Sequence, residues 1–152
     1  MIAHTEPLTQ RRIPDKSSGV AQLRRLYYES AMFKAKVIGS FAAAHSLRGY
    51  QGDCEKLHGH NYRVEVVVAA AELDAIGILI DFREMKAILK TITDELDHCY
   101  LNELEAFSVE NASAENLARH IYRRFSAQLP GSVRMHEVTV WENDGCCVSY
   151  TE

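Results

Sequence analysis

The chain has 152 residues, of which 47% are hydrophobic and 25% are charged, and its formal net charge is −4 at pH 7. This composition is typical of one globular domain with its own core, and a negative chain without a dense basic run gives no reason to expect a nucleic-acid partner. The four cysteines are unevenly placed and no apolar stretch is long enough for a membrane span or signal peptide, so we expect a cytoplasmic protein with free thiols and no membrane partner.

Residues 1–30 are predicted to be an N-terminal extension that is partly disordered. Residues 1–17 contain little hydrophobic pattern, two prolines and a Lys-Ser-Ser-Gly run. Residues 18–29 are expected to form a short helix, because their apolar residues recur at helical spacing. Residues 31–152 are predicted to form the functional domain.

The domain is predicted to open with two strands. Residues 31–44 have strand-like composition, and a turn with two glycines over residues 48–53 leads into a second strand over residues 58–70. The second strand alternates well, with one set of side chains on a single face and Arg63 and Glu65 on the other. The set on the first face is His60, Tyr62, Val64, Val66 and Val68. This pattern predicts one long antiparallel hairpin.

A short extended run and a helix are predicted to follow the hairpin. Residues 77–80 are apolar after Gly77 and end at Asp81, which has the spacing of a capping box with Glu84. The helix after Asp81 has an apolar stripe at helical spacing. The residues of this stripe are Phe82, Met85, Leu89 and Ile92.

The last third of the chain is predicted to form a second helix and a second hairpin. The helix begins near Asn111 or Ser113 and ends before Pro130-Gly131. Residues 133–142 and 146–150 form strands around Asn143-Asp144-Gly145, which is a strong turn signal. The element order ββααββ predicts an α+β fold in which a four-stranded antiparallel sheet carries both helices on one face.

Three histidines and one cysteine lie close together between residues 45 and 60. His58 and His60 are two apart on a strand, so both imidazoles point to one face, and His45 ends the preceding strand. Three imidazoles suit Zn²⁺ and leave a fourth position for water or substrate. Cys54 is either a fourth ligand that closes the site or a nearby thiolate base. A polar turn would explain His-Gly-His alone, but the whole cluster favours a metal site.

Two acidic signals lie outside the histidine cluster. Asp97-His98 is a pair that usually forms a capped turn, but a thiol acting as a base needs a partner that lowers its pKa, and an Asp can orient such a histidine. Glu142 shares the parity of Val138 and Val140, which predicts a carboxylate on the core-facing side just before a turn. The alternative for Glu142 is a strand end that reaches solvent.

The order of these motifs resembles the 6-pyruvoyl-tetrahydropterin synthase superfamily over residues 31–150. The matching motifs are Phe41-Ala-Ala-Ala-His45, Cys54-x3-His58-Gly-His60, Asp81-Phe82, Leu96-Asp97-His98-x-Tyr100-Leu101-Asn102, Ser113-x-Glu115-Asn116-Leu117-Ala118 and Glu142. The three-residue gap after Cys54 resembles the bacterial 6-carboxytetrahydropterin synthase branch of queuosine biosynthesis. The resemblance implies the tunnelling fold, assembled as a homohexamer from two trimers, with active sites between subunits.

The resemblance also implies a zinc-dependent lyase and a role for each site residue. The residues implied to hold Zn²⁺ are His45, His58 and His60. The residues implied to act in catalysis are Cys54 as general base, Asp97 and His98 as its relay, and Glu142. The residues implied to bind the pterin are Glu142, Glu115 and Ser113. The implied reaction converts 7,8-dihydroneopterin triphosphate to 6-carboxy-5,6,7,8-tetrahydropterin and releases acetaldehyde and triphosphate.

Departures from the family pattern keep alternatives open. Glu55, next to Cys54 and pointing the other way if the segment is extended, is an alternative base for a folate-directed cleavage to 6-hydroxymethyl-7,8-dihydropterin. Ala114 stands where relatives often carry a hydroxyl. The 6-pyruvoyl product, or a zinc-stabilised pterin-binding module with Cys54 as a permanent ligand, are further alternatives. The candidate triphosphate ligands are Arg48, Lys56 and Arg63.

Overall fold

The computed structural model describes residues 32–152, and the predicted extension and its helix over residues 18–29 lie outside the described residues. The elements in chain order are β1 (Phe33–His45), β2 (His58–Ala70), α1 (Phe82–Leu96), α2 (Ala114–Ser126), β3 (Arg134–Asn143) and β4 (Cys146–Tyr150). The predicted ββααββ order is confirmed. No helix in the described part of the chain is long and apolar enough to cross a membrane.

The four strands form one antiparallel sheet in the order β1-β2-β3-β4. The β1–β2 pairing is continuous from Phe33 opposite Ala70 to His45 opposite His58. The predicted hairpins therefore form, and in each of them two strands that follow one another in the sequence are adjacent in the sheet.

All four cysteines are free thiols, as expected.

Both helices pack against one face of the sheet, as predicted. The alternating face of β2 enters this core, where Tyr62, Val64 and Val66 have no exposed surface. Helix α1 contributes a stripe of apolar side chains at helical spacing to this core. Its residues are Met85, Ile88, Leu89, Ile92 and Leu96. Phe82 was expected in this stripe, but its side chain is 54% exposed, because it lies at the first residue of α1, one turn before the buried stripe begins at Met85.

The N-terminus of α1 differs from the prediction in two ways. Asp81 caps the helix by accepting from the Arg83 amide at 2.7 Å, but the Arg83 guanidinium, and not Glu84, completes the interaction. Residues 77–80 are not extended. Gly77 has a φ of +84°, in the left-handed region, and the Asp74 carboxylate accepts from two amides of this loop, so the chain bends.

The opposite face of the sheet carries a compact charge network. Glu65 is only 9% exposed and accepts from Lys36 at 2.6 Å and from Arg63 at 2.6 Å. The Lys36 hydrogen bond holds the pKa of the Glu65 carboxyl below its ordinary value. Arg63 also lies over the Trp141 ring, 5.6 Å from the ring centre. The predicted placement of Arg63 and Glu65 away from the core is confirmed.

Candidate metal centre

The structure brings together the three predicted histidines at one end of the sheet. The β1–β2 register sets His45 directly opposite His58, and His60 follows two residues along β2 on the same face. One ring nitrogen from each of the three lies within 4.8 Å of the others. The Nε2 atoms of His45 and His58 are 3.0 Å apart. Three imidazoles from two paired strands therefore converge on one point.

The remaining ring nitrogens of two histidines are fixed by backbone carbonyls. His45 Nδ1 lies 2.6 Å from the Ala112 oxygen, and His58 Nδ1 lies 2.8 Å from the Lys56 oxygen. A carbonyl only accepts hydrogen bonds, so both Nδ1 atoms carry the proton and both Nε2 atoms present lone pairs. Facing lone pairs at this distance repel unless a cation or a proton lies between them. Carbonyl-oriented imidazoles of this kind are typical metal ligands.

Burial keeps the ligand set in the form that a metal binds. His45 is 1% exposed, and burial lowers the pKa of its imidazole, which favours the neutral ring. His58 and His60 are half-buried, so the site has an accessible side. Cys54 lies outside the group of converging ligand atoms among the described residues. This geometry favours three protein ligands and an open position over a site closed by Cys54.

Cys54 and Glu55 lie in a short 3-10 turn, Asp53–Glu55, so the segment is not extended and the condition for opposite side-chain directions is not met. The turn closes through hydrogen bonds from the Glu55 amide to Gly52 and from the Lys56 amide to Asp53, both at 3.1 Å. The two adjacent side chains still differ in environment, because Cys54 is half-buried and Glu55 is exposed.

The predicted Asp97–His98 pair forms beside the end of β1. The Asp97 carboxylate accepts from the Ala42 amide at 2.7 Å and from His98 Nδ1 at 2.8 Å. Both hydrogen bonds, chiefly the one from the Ala42 amide, hold the pKa of the Asp97 carboxyl below its ordinary value. The His98 side chain is 82% exposed, and the backbone at His98 has a φ of +54°, an unusual value for a non-glycine residue. Within residues 32–152 no hydrogen bond joins His98 to Cys54.

Glu142 keeps the parity of Val138 and Val140, as predicted, because β3 pairs regularly with β2 through Val64–Val140 and Arg63–Trp141. Its pairing with β4, however, contains an irregularity that the sequence did not predict. Trp141 pairs with Cys147 and Asn143 pairs with Cys146, so Glu142 is the extra residue of a β-bulge. Bulges re-aim side chains and recur next to active sites. The register with β2 places Glu142 on the same face of the sheet as Tyr62 and the histidines. Burial, followed by the charge of Glu142, raises the pKa of Tyr62. Glu142 is half-buried and not fully in solvent.

The N-terminus of α2 borders the same site. Ser113 is the helix cap and accepts from the Asn116 amide at 3.4 Å, one residue after the carbonyl that orients His45. Glu115 is exposed, whereas Ala114 is 7% exposed and belongs to the core. The predicted pterin-binding roles of Ser113 and Glu115 stay predictions.

The candidate triphosphate ligands have other contacts in the structure. The Arg48 guanidinium donates to three backbone carbonyls of residues 107–110. Arg63 lies on the sheet face opposite the histidines, and the exposed Lys56 ammonium is 3.3 Å from the Asp53 carboxylate. Arg48 is thus a loop anchor that sequence reasoning missed, because its partners are backbone atoms without a side-chain pattern.

Comparison with known proteins identifies the family. A family model described as 6-pyruvoyl tetrahydropterin synthase matches residues 34–152. The chain belongs to the 6-pyruvoyl tetrahydropterin synthase family. The resemblance predicted from the motifs is confirmed, as is the expectation that the chain is an enzyme of this family.

Several curated relatives within the 6-pyruvoyl tetrahydropterin synthase family carry more specific names. A 6-carboxy-5,6,7,8-tetrahydropterin synthase from Synechocystis is 37% identical over 68% of this chain and 81% of its own length. A 6-carboxy-5,6,7,8-tetrahydropterin synthase from Haemophilus influenzae is 31% identical over 80% of this chain and 100% of its own length. A dihydroneopterin monophosphate aldolase from Pyrococcus furiosus is 35% identical over 73% of this chain and 92% of its own length.

The fold of the 6-pyruvoyl tetrahydropterin synthase family is also matched among solved structures. The 6-pyruvoyl tetrahydropterin synthase of Caenorhabditis elegans has a TM-score of 0.73, with 24% identity, over 80% of this chain and 96% of that chain. At this identity the likeness supports the fold alone, and it agrees with the sheet and helix arrangement described above.

The converging imidazoles generate a prediction about metal content. His45→Ala, His58→Ala and His60→Ala should each lose most of the bound metal, because a three-ligand site has no redundancy. Metal analysis of purified protein measures this directly. His136→Ala is the control, since His136 lies against Lys34 in a pair outside the cluster, and it should keep a full complement. Stoichiometric metal in all three site variants would show that these histidines do not form a metal centre.

Proposed function

We propose that the protein is a zinc-dependent lyase that converts 7,8-dihydroneopterin triphosphate and one water molecule to 6-carboxy-5,6,7,8-tetrahydropterin, acetaldehyde and triphosphate. The observation that carries the proposal is the convergence of one ring nitrogen from each of three histidines on a site with an accessible side, with the Nε2 atoms of His45 and His58 oriented by backbone carbonyls. The names of several relatives support the pterin product. We further propose that the product feeds queuosine biosynthesis in the cytoplasm.

The proposed chemistry divides between the histidine site and the surrounding side chains. A zinc ion held by His45, His58 and His60 would acidify the side-chain hydroxyls of the substrate and polarise the carbonyl that forms. Cys54 would remove a proton from the substrate side chain as a thiolate. Glu142 would accept hydrogen bonds from the amino and ring N–H groups of the pterin, since a carboxylate offers acceptors only.

The relay to Cys54 is proposed to form between copies of the chain. His98 is 82% exposed, is oriented by an ionised Asp97, and lies beside the edge strand β1. An oriented but exposed imidazole can serve a thiol that a neighbouring copy presents. This arrangement supports the proposed homohexamer of two trimers, in which each active site would be completed by a partner.

The decisive experiment identifies the product. Purified protein loaded with Zn²⁺ is incubated with 7,8-dihydroneopterin triphosphate, and pterin products are identified by mass spectrometry while acetaldehyde is assayed separately. We expect 6-carboxytetrahydropterin and acetaldehyde in equal amounts. A pyruvoyl pterin without acetaldehyde, or no turnover by metal-loaded protein, would contradict the proposal.

A second candidate function is the aldol cleavage of a dihydroneopterin phosphate to 6-hydroxymethyl-7,8-dihydropterin. One relative at 35% identity is named dihydroneopterin monophosphate aldolase. The exposed carboxylate of Glu55, adjacent to Cys54, supplies this chain with a second base of different placement. The two functions differ in the carbon fragment released, so the product experiment separates them.

Removal of the thiol is expected to abolish turnover without loss of metal. Cys54→Ala should keep zinc and substrate binding but lower kcat by about 10²- to 10⁴-fold, as expected for loss of a positioned base. His98→Ala should behave similarly, and the double variant should be little worse, because the two groups act in one step. Steady-state kinetics with metal analysis measures both effects.

The control for this series is Cys147→Ala, which removes an exposed thiol and should leave kcat unchanged. Additive losses in the double variant would show that Cys54 and His98 do not share a step. Loss of zinc from Cys54→Ala would instead support a site closed by the cysteine.

The pterin anchor is tested by Glu142→Gln. The amide keeps the shape of the side chain but presents two donors toward the donors of the pterin. Substrate binding should weaken by about 1.5–3 kcal/mol, the range for a charge-assisted hydrogen bond, which corresponds to about tenfold or more in Kd. Substrate titration measures the change, with zinc content as the control. Unchanged affinity would exclude Glu142 from pterin recognition.

The choice between the two cleavage reactions is tested at Glu55. Glu55→Ala should leave acetaldehyde release nearly intact and abolish any 6-hydroxymethyl product, because that product needs a carboxylate base placed differently over the side chain. Cys54→Ala should show the converse. Quantified products from both variants measure the partition. A wild-type protein that makes no hydroxymethyl pterin would reduce Glu55 to a loop residue.

A further inference from the structure

Arg48, in the loop after β1, uses its whole guanidinium group to hold one distant segment. Its Nη1 donates to the Ser108 carbonyl at 2.8 Å, and its Nη2 donates to the carbonyls of Phe107 at 2.7 Å and Glu110 at 2.6 Å. The planar fork of an arginine can serve several acceptors at once, whereas a lysine ammonium is a single point charge. Residues 107–110 are therefore fixed to the end of β1 by one side chain.

Asn111 completes this contact from the other side. Its Oδ1 accepts from the Arg48 amide at 2.8 Å, and its Nδ2 donates to the Arg48 carbonyl at 3.1 Å. The Asn111 side chain thus pairs with the Arg48 backbone as a neighbouring strand would. Its own carbonyl accepts from the Asn116 side chain at 2.8 Å, which ties the segment to α2. We call the Arg48 and Asn111 contacts together the Arg48–Asn111 lock.

The lock adjoins the histidine cluster through a single residue. Ala112 follows Asn111, is fully buried, and its carbonyl accepts from His45 Nδ1 at 2.6 Å. That hydrogen bond sets which nitrogen of His45 carries the proton and which faces the other imidazoles. The position of the Ala112 carbonyl depends in turn on the segment that Arg48 and Asn111 hold.

We infer that Arg48 and Asn111 are positioning residues for the metal centre, acting on His45 through the Ala112 carbonyl. This inference rests on the metal site of the proposed function. Partners that orient a ligating histidine commonly change metal affinity by about 10–100-fold when removed. Because the lock acts one contact further away, the effect belongs at the lower end of that range.

The inference is tested by titrating metal into the full chain after chelation. Zn²⁺ affinity is measured by competition with a chromophoric chelator, and Co²⁺ absorption spectra report ligand geometry. Arg48→Ala and Asn111→Ala should each weaken Zn²⁺ binding by about tenfold and alter the Co²⁺ spectrum. The double variant should be little worse than either single variant, since both remove one lock.

Two conservative variants separate positioning from charge. Arg48→Lys keeps the positive charge but cannot bridge three carbonyls, so it should weaken Zn²⁺ binding nearly as much as Arg48→Ala. Asn111→Asp keeps the acceptor for the Arg48 amide but loses the Nδ2 donor and places a carboxylate oxygen against the Arg48 carbonyl, so it should weaken Zn²⁺ binding nearly as much as Asn111→Ala. This second variant keeps the test decisive if Arg48→Ala does not fold.

The matched control is Arg124→Ala. Arg124 makes a bidentate pair with Glu95, at 2.7 and 2.8 Å, between the two helices. Its loss should lower thermal stability without changing Zn²⁺ affinity or the Co²⁺ spectrum. Equal losses of affinity in Arg48→Ala and Arg124→Ala would reduce the lock to a general stability effect and overturn the inference.

The remaining outcomes also discriminate. Wild-type Zn²⁺ affinity in Arg48→Ala together with a raised KM for the triphosphate substrate would make Arg48 a phosphate contact and overturn the inference. Wild-type affinity and spectrum in both alanine variants would do the same while leaving the proposed function intact. A wild-type chain that binds no Zn²⁺ would overturn the proposed function and the inference together.

Discussion

The antiparallel register between β1 and β2 is the constraint on which the site depends. It sets His45 opposite His58 and keeps His60 on the same face, two residues further along. Because strand side chains alternate, a slip by one residue would send an imidazole set to the opposite face. The same register buries the valines of β2 against the helices. One ladder of backbone hydrogen bonds therefore secures both the core and the convergence of the three histidines.

Orientation of the imidazoles depends on two backbone carbonyls that come from different parts of the chain. The carbonyl that orients His45 belongs to Ala112, 67 residues later in the chain, whereas the one that orients His58 belongs to Lys56, two residues earlier. The buried ligand is thus held by the second half of the fold, and the accessible ligand by its own loop. A metal bound to both would link the two halves, so binding and folding of the domain would be coupled.

The sequence predicts this molecule well wherever a periodic pattern carries the information. Strand alternation predicts the sheet and the shared face of His58 and His60, because burial and register follow the same period of two. It could not predict the bulge at Glu142, which depends on how β3 meets β4, nor the bend at Gly77, which depends on backbone conformation. The anchoring role of Arg48 was also hidden, since every residue offers a carbonyl and no motif marks the chosen ones.

Within residues 32–152, the segment that carries Asp97 and His98 covers only the end of the outer edge of β1. The backbone groups of Ala42 and Ala44 form hydrogen bonds with this segment. Between Lys34 and Ser40, the backbone groups of the other even-numbered residues of β1 point in the same direction, away from β2. Open strand edges invite uncontrolled addition of further strands, and lysines such as Lys34 counter it. A strand added here would run along eight residues at most and then meet His98. Along the described part of this edge, the covered end therefore sets the point at which backbone pairing with a further strand must stop.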